Sequence, residues 1–190
     1  CTRYRHTASS TARWLGRPWV PRWAREAPSR PQRPGFVSAR LWQAPTARLR
    51  LLEVGAGTGG TSARVLARLK PYGENIEEYR YTDLSQAFLT HAREVYGPEY
   101  PWLNCDIFDV EKPIAGQGVD AGGYDVVIAT NVLHATRSIR RTLPNAKAAL
   151  RTNGLLLLNE ITGKSLFTHV TFGLLSGWWL SEDVALRLPG

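Results

Sequence analysis

The chain has 190 residues, 43% of them apolar, and a formal charge of +8 at pH 7. That length suits one ordinary domain with a real core, and no run approaches the ~18 uninterrupted apolar residues of a membrane span. The start, Cys-Thr-Arg-Tyr-Arg-His, lacks the apolar segment of a signal peptide, and Cys1 with Cys105 makes neither a disulfide framework nor metal-ligand spacing, so a cytoplasmic protein without metal or membrane partner is expected.

The charge is unevenly spread. Residues 1–50 hold 11 Arg, no Lys, no Asp and the single acid Glu26, giving +10, and residues 51–190 carry −2. A basic tail with interleaved Trp14, Trp19, Trp23 and Trp42 is one reading of a nucleic-acid arm. Arg, Pro, Ala and Trp without Lys or Asp is also what GC-rich DNA yields across a linker or in the wrong frame. No helical or strand period stands out there, so residues 1–45 are expected to be a poorly ordered linker or non-native segment, with no nucleic-acid partner.

From residue 46 the pattern becomes regular. Leu49–Val54 is an apolar strand that runs into Gly55, Gly57, Gly59 and Gly60, and a helix follows over Thr61–Leu69 with Ala63, Leu66 and Leu69 on one face. A second strand, Glu78–Thr82, closes on Asp83. Ser85 is placed to cap a helix carrying Phe88, Ala92, Val95 and Tyr96, which Gly97-Pro98 stops. Trp102–Phe108 is the third strand, and the glycine-bearing loop after it carries no signal of its own. Tyr124–Thr130 is a continuous apolar run, as in a parallel strand buried on both faces. It opens into Asn131-Val-Leu-His134. Ile139, Leu143, Ala146 and Leu150 trace a helix that begins at Leu143 or is kinked by Pro144. Asn153-Gly154 then turns the chain into Leu155–Asn159, a fifth buried strand ending at Glu160. Alternating strand and helix predict right-handed βαβ units and a doubly wound α/β fold, a mostly parallel Rossmann-like sheet.

Polar and glycine residues gather at the carboxyl ends of these strands, the edge where open α/β sheets bind ligands: Gly55 to Gly59, Asp83, Asp106 and Asp109, Asn131 and His134, and Glu160. A glycine loop leading into a helix N-terminus lets backbone approach an anionic group closely. Gly55, Gly57 and Gly60 satisfy the dinucleotide pattern G-x-G-x-x-G. Three features turn the reading elsewhere: Glu53 stands where a carboxylate faces a cationic ligand, Gly59 adds a glycine that pattern does not ask for, and Asp83 lies farther on than the ~20 residues of that fingerprint.

Glu53-x-Gly55-x-Gly57-x-Gly59 with Asp83 resembles the S-adenosylmethionine site of class I methyltransferases. Asn131-Val-Leu-His-Ala-Thr136, Leu155-Leu-Leu-Leu-Asn-Glu-Ile-Thr162 and Phe172-Gly-Leu-Leu-Ser-Gly-Trp-Trp179 narrow the likeness to the C-methyltransferase domains of modular and iterative polyketide synthases, over about Leu49 to Gly190. The resemblance implies S-adenosyl-L-methionine as cofactor and a β-ketoacyl chain on an acyl carrier protein as substrate, with neighbouring synthase domains in the same polypeptide. It implies His134 as general base and Glu160 as its carboxylate partner. Asp83 is placed on the ribose hydroxyls, and Asp109 on the adenine in preference to Asp106; Glu53, Gly55, Gly57, Gly59 and Asn131 complete the cofactor site. A proton between a ketone and a thioester is acidic enough for imidazole, whose free pKa of about 6.5 suits a base at neutral pH.

Competing readings are an N- or O-methyltransferase of a hybrid peptide synthetase or small-molecule pathway, and a non-catalytic remnant. Residues 1–48 do not resemble the family's helical lid, and the full fold adds two strands beyond the fifth. Residues 46–190 are therefore expected to be a partial domain of a larger polypeptide, aggregating if expressed alone through the Leu155–Leu158 edge. His91 and His169 read as surface or packing residues, Trp178-Trp179 as core, and Cys105 as a small apolar strand residue.

Overall fold

The structure is a computed structural model that describes residues 35–160, 170, 174 and 180–186. Its contacts divide the chain into two units, Cys1–Gln43 and Ala44–Gly190. In the first, helix α1 (Phe36–Gln43) starts after Gly35, whose carbonyl accepts the Ala39 N–H and the Ser38 hydroxyl. Leu41 is buried and Trp42 is 88% exposed. A helix therefore forms inside the stretch expected to lack any period; eight residues with one buried side chain leave almost no periodic signal.

The second unit is built on five parallel strands, β1 (Leu49–Val54), β2 (Ile76–Asp83), β3 (Leu103–Ile107), β4 (Tyr124–Thr130) and β5 (Leu150–Asn159), in the order β3-β2-β1-β4-β5. Between them lie α2 (Gly60–Leu69), α3 (Gln86–Tyr96) and α4 (Ile139–Ala148). The doubly wound α/β expectation is met, and β1 and β4 begin and end where their apolar runs do. Both are central, so both faces are covered and the sequence shows no alternation. The chain winds outward from β1 through β2 to β3, then crosses back to β4. Between β1 and β4 the order reverses, and this is where such sheets leave a crevice.

Four expectations change. The loop between β3 and β4 is part of the core: Val110, Ile114 and Val119 pack with Phe108, Leu52, Val54 and Val127 in one cluster. Gln117 laces this loop, its Oε1 accepting the Asp109 N–H at 2.8 Å while its Nε2 donates to the carbonyls of Asp109 and Pro113. Of the two courses expected for α4, the start at Leu143 is overturned: the helix starts at Ile139, the first residue of its apolar stripe, and keeps Pro144 inside; buried Thr142 and Ala146, and an Asn145 Nδ2 bond to the Val110 carbonyl at 2.9 Å, hold it despite the missing amide. The Asn153-Gly154 turn lies inside β5 as an irregularity, with Asn153 at φ 62° and the register to β4 shifted between Tyr124 and Val126. Last, β5 is not the buried strand expected: Leu157 and Leu158 are nearly half exposed, on the edge of the described sheet where the Leu155–Leu158 edge was expected.

At the amino end of the sheet, Arg50 joins Glu78 at 2.7 Å and Asp120 at 2.8 Å, and Arg80 joins Glu78 at 2.8 Å. This network ties β1, β2 and the β3–β4 loop together, leaving the opposite end for the site. No helix among the described residues is long and apolar enough to cross a membrane.

Candidate active site

At the carboxyl end of β1 the chain turns through Gly55, Gly57 and Gly59, at φ 60°, 59° and 81°. A Cβ on Gly55 would stand 2.6 Å from Val132 Cγ2, whereas one on Gly57 would meet nothing within 4 Å. The first glycine is thus needed for packing against the segment after β4, the second leaves backbone open to a ligand. Gly59 is packed beneath the Tyr96 ring and precedes α2.

This loop does not hold itself. The Ala56 N–H donates to the Thr82 carbonyl at 2.9 Å, and Thr82 Oγ1 to the Glu53 carbonyl at 2.6 Å. Gly57 is gripped at both ends: its N–H donates to Asp83 Oδ2 at 2.9 Å and its carbonyl accepts the Tyr81 hydroxyl at 2.5 Å. The other Asp83 oxygen accepts the Ser85 N–H at 2.8 Å, so the Ser85 backbone, not its side chain, meets the start of α3. Each Asp83 oxygen keeps acceptor capacity beyond these bonds.

Glu53 is placed otherwise than expected. It is 1% exposed, and its Oε2 accepts the Ser62 hydroxyl at 2.6 Å and the Tyr79 hydroxyl at 2.5 Å. Burial raises the pKa of its carboxyl, and the two hydroxyl bonds oppose that only in part. The side chain thereby joins β1, β2 and the first turn of α2 behind the glycine loop.

A crevice of about 310 Å³ opens in front of the loop, and its walls include Gly55, Asp83, Leu84, Asp109, Asn131 and Thr136. Of the expected cofactor residues, Gly55, Asp83, Asp109 and Asn131 come together here, while Glu53, Gly57 and Gly59 stand behind or beside the wall. Asp109 faces its own loop, Oδ1 accepting the Glu111 N–H at 3.0 Å and Oδ2 lying 3.0 Å from Lys112 Nζ. Asp106 is half exposed, 3.7 Å from Arg80, and does not line the crevice.

Beyond β4, Asn131 takes the left-handed conformation at φ 54° and its N–H closes the last rung to the Asn159 carbonyl at 2.8 Å. This bend, rare for a residue with a Cβ but tolerated by Asn, starts a single 3-10 turn over Leu133–Ala135. The turn presents the Val132 and Leu133 N–H groups to Glu160 Oε1 at 3.2 and 2.9 Å. Glu160 Oε2 lies 2.5 Å from His134 Nδ1. Burial alone would raise the Glu160 pKa; the His134 bond and the two amides outweigh it and hold the carboxyl below the ordinary range. An ionised Glu160 accepts from Nδ1–H, which assigns Nε2 as the ring nitrogen able to take a proton. Neither residue lines the crevice, but Val132, Ala135 and Thr136 on the same turn do.

Sequence reasoning missed the hydroxyl supports. Tyr79 and Tyr81 lie in β2 with both side chains fully buried, and their hydroxyls reach Glu53 and Gly57. Glu111, whose carboxylate accepts the Arg137 N–H beside the crevice, carried no signal either. His91 is exposed and Cys105 is buried, in line with the packing readings. His169, Trp178 and Trp179 lie outside the described residues.

A parallel sheet in this order, with a glycine turn at its switch point and an acid closing the second strand, defines a Rossmann-like methyltransferase core. The chain belongs to the methyltransferase domain family, which it matches over residues 52–156, and it is closely related to C-methyltransferase domains of polyketide synthases. It is 60% identical over 155 residues to polyketide synthase PksM of Bacillus subtilis (strain 168), across 82% of this chain and 4% of PksM. Against the solved DszA carbon methyltransferase the TM-score is 0.74 at 44% identity, covering 79% of this chain and 38% of that one. The trans-methyltransferase CalH, solved with SAH, gives 0.66 at 40% identity over 71% of this chain and 38% of CalH. The chain thus spans a small part of the large synthase and under two fifths of each solved domain.

Proposed function

We propose that the chain methylates the α-carbon of a β-ketoacyl group carried as a thioester on an acyl carrier protein, within a polyketide synthase. The observation that carries this is the His134–Glu160 pair: an imidazole whose Nδ1 is held 2.5 Å from a carboxylate that is itself fixed by two backbone amides. Such a pair fixes one tautomer and stabilises the imidazolium that forms when a proton is taken. A neutral amine attacks through its own lone pair and needs no base of this kind; a C–H between two carbonyls has to lose its proton first and does.

S-adenosyl-L-methionine fits the residues in front of the glycine loop, and when bound it supplies an electrophilic methyl group. Open backbone at Gly57 admits a ligand against the loop, Asp83 offers two acceptor oxygens to a vicinal diol, and Asn131 lines the same wall. Glu53 acts behind the loop by holding β1, Ser62 and Tyr79 together. His134 Nε2 takes the substrate α-proton, and Glu160 stays ionised against Nδ1–H while the positive charge is present.

Transfer of labelled methyl from S-adenosylmethionine to a β-keto thioester, with His134→Ala alongside, tests the proposal. Label on the α-carbon, lost in the variant, is expected; undiminished transfer by His134→Ala, or label on nitrogen or oxygen, refutes it.

A further inference from the structure

The last residue of the Asn131-to-Thr136 motif has no part in the chemistry above, yet its hydroxyl is buried at the foot of the turn that carries His134. Thr136 is 8% exposed and its Oγ1 donates to the Leu133 carbonyl at 2.7 Å, with the Thr136 N–H on the same oxygen at 3.2 Å. Oγ1 also lies 3.1 Å from Thr142 Oγ1 on α4. A hydroxyl has one hydrogen. With the Thr136 hydrogen on Leu133, the Thr142 hydroxyl is the donor between the two threonines; it also reaches the Ser138 carbonyl at 3.0 Å, which the Thr142 N–H supplies independently at 2.9 Å.

The Leu133 peptide is therefore held from both sides. Its N–H goes to Glu160, its carbonyl to Thr136, and His134 follows directly in the chain. A 3-10 turn of three residues has too few bonds of its own to fix a side chain. Helix α4 supplies the missing rigidity, because Thr142 and Ala146 are 1% and 0% exposed. We propose that Thr136, backed by Thr142, is a positioning residue that sets the His134 imidazole against Glu160, connecting the base to the rigid body of α4 without touching the reacting atoms.

This rests on His134 being the base, and the test separates the two. Thr136→Val removes the hydroxyl at nearly constant volume, Thr136→Ser keeps it, and Thr142→Val breaks the same chain from the helix side. Thr136→Val is expected to lower kcat by roughly tenfold, the scale of one net hydrogen bond. In Thr142→Val, which lies outside the crevice wall, S-adenosylhomocysteine affinity should stay within about twofold, because Asp83 and the glycine loop are bonded elsewhere. In 13C NMR of Thr136→Val the Glu160 carboxyl should titrate higher than in the parent, since the bonds that depress it come from this turn. Thr136→Ser should restore both readouts and Thr142→Val reproduce the loss in part. If Thr136→Val keeps the parent kcat and Glu160 titration while His134→Ala abolishes transfer, the positioning role is wrong and the base stands. Transfer surviving His134→Ala removes the base, and the Glu160 titration in Thr136→Val then decides whether the threonine holds the turn.

Discussion

Replacing Glu160 by glutamine changes one atom and probes whether the carboxylate orients a base or only ties down a turn. Its two oxygens face different partners: Oε1 accepts from two backbone amides at 3.2 and 2.9 Å, Oε2 meets His134 Nδ1 at 2.5 Å. A glutamine must choose. With its oxygen on the amides, the NH2 group faces Nδ1, which then has to accept; the ring proton moves to Nε2 and the proposed base is blocked. In the flipped orientation the NH2 faces two N–H donors, leaving both unpaired at about 1–3 kcal/mol each. The first arrangement is the cheaper one, so the fold survives and the tautomer inverts. Wrong-tautomer substitution in a serine-protease triad costs about 10⁴ in kcat. A fall in kcat of about 10³–10⁴, or ~4–5.5 kcal/mol of barrier, is expected in single-turnover methyl transfer. S-adenosylhomocysteine affinity should remain within about twofold. Alanine, which lets the imidazole take either tautomer, should be no worse than glutamine. Were Glu160→Gln to run within about fivefold of the parent while Glu160→Ala failed, the carboxylate would be a turn anchor and its pairing with a base would be refuted.

Other perturbations test the frame around this pair. Gly55→Ala forces a left-handed alanine, ~1–2 kcal/mol, and drives a methyl to 2.6 Å from Val132 Cγ2; with overpacking of ~1–3 kcal/mol, the urea midpoint should drop by the equivalent of about 2–5 kcal/mol. Adding Val132→Ala should recover the overpacking share, and a fully additive double variant would contradict the contact. Tyr81→Phe removes the donor to Gly57, and calorimetry should show about three- to tenfold weaker S-adenosylhomocysteine binding together with a melting temperature lower by roughly 2–4 °C, the scale of one lost hydrogen bond; unchanged affinity would show that the hydroxyl does not shape the loop. Acid affects the carboxyls in opposite senses. Glu160 and Glu78 are depressed, so their contribution to stability is present above the unfolded carboxylate value of about 4.3 and is lost as pH falls through their lower folded values. Glu53 is raised, so its contribution is complete below about 4.3 and declines as pH rises through its higher folded value. Glu53→Gln keeps the acceptor for Ser62 and Tyr79 and should flatten the decline in melting temperature on going from pH 4 to 8; an unchanged slope would contradict the raised carboxyl.

How far the sequence reveals this structure depends on where each signal resides. Strands β1 and β4 are legible to the residue because a central parallel strand is apolar throughout and its ends are marked by Gly55 and Asn131. The meeting of His134 and Glu160 is legible too, since both follow adjacent parallel strands at the same edge, where β4 pairs with β5 through Thr130 and Asn159. Glu53 shows the opposite case: a carboxylate at a strand end looks the same in sequence whether it faces a ligand or turns back to Ser62 and Tyr79. Tyr81 is hidden for a related reason, because a buried ring satisfies the apolar pattern and nothing in the sequence records where its hydroxyl goes. The β3–β4 loop escaped because Val110, Ile114 and Val119 have no period; their burial comes from the Gln117 bonds that fold the loop onto the sheet.

The central claim is that His134 takes a proton from carbon, and that step can be observed without methyl transfer. The protein is incubated in D2O with a 2,2-dimethyl-free β-keto thioester and S-adenosylhomocysteine, and deuterium at the α-carbon is followed against the uncatalysed rate by mass spectrometry. Catalysed exchange that disappears in His134→Ala is the predicted result. Exchange at the background rate in the parent protein, or catalysed exchange that persists without the imidazole, would contradict the account.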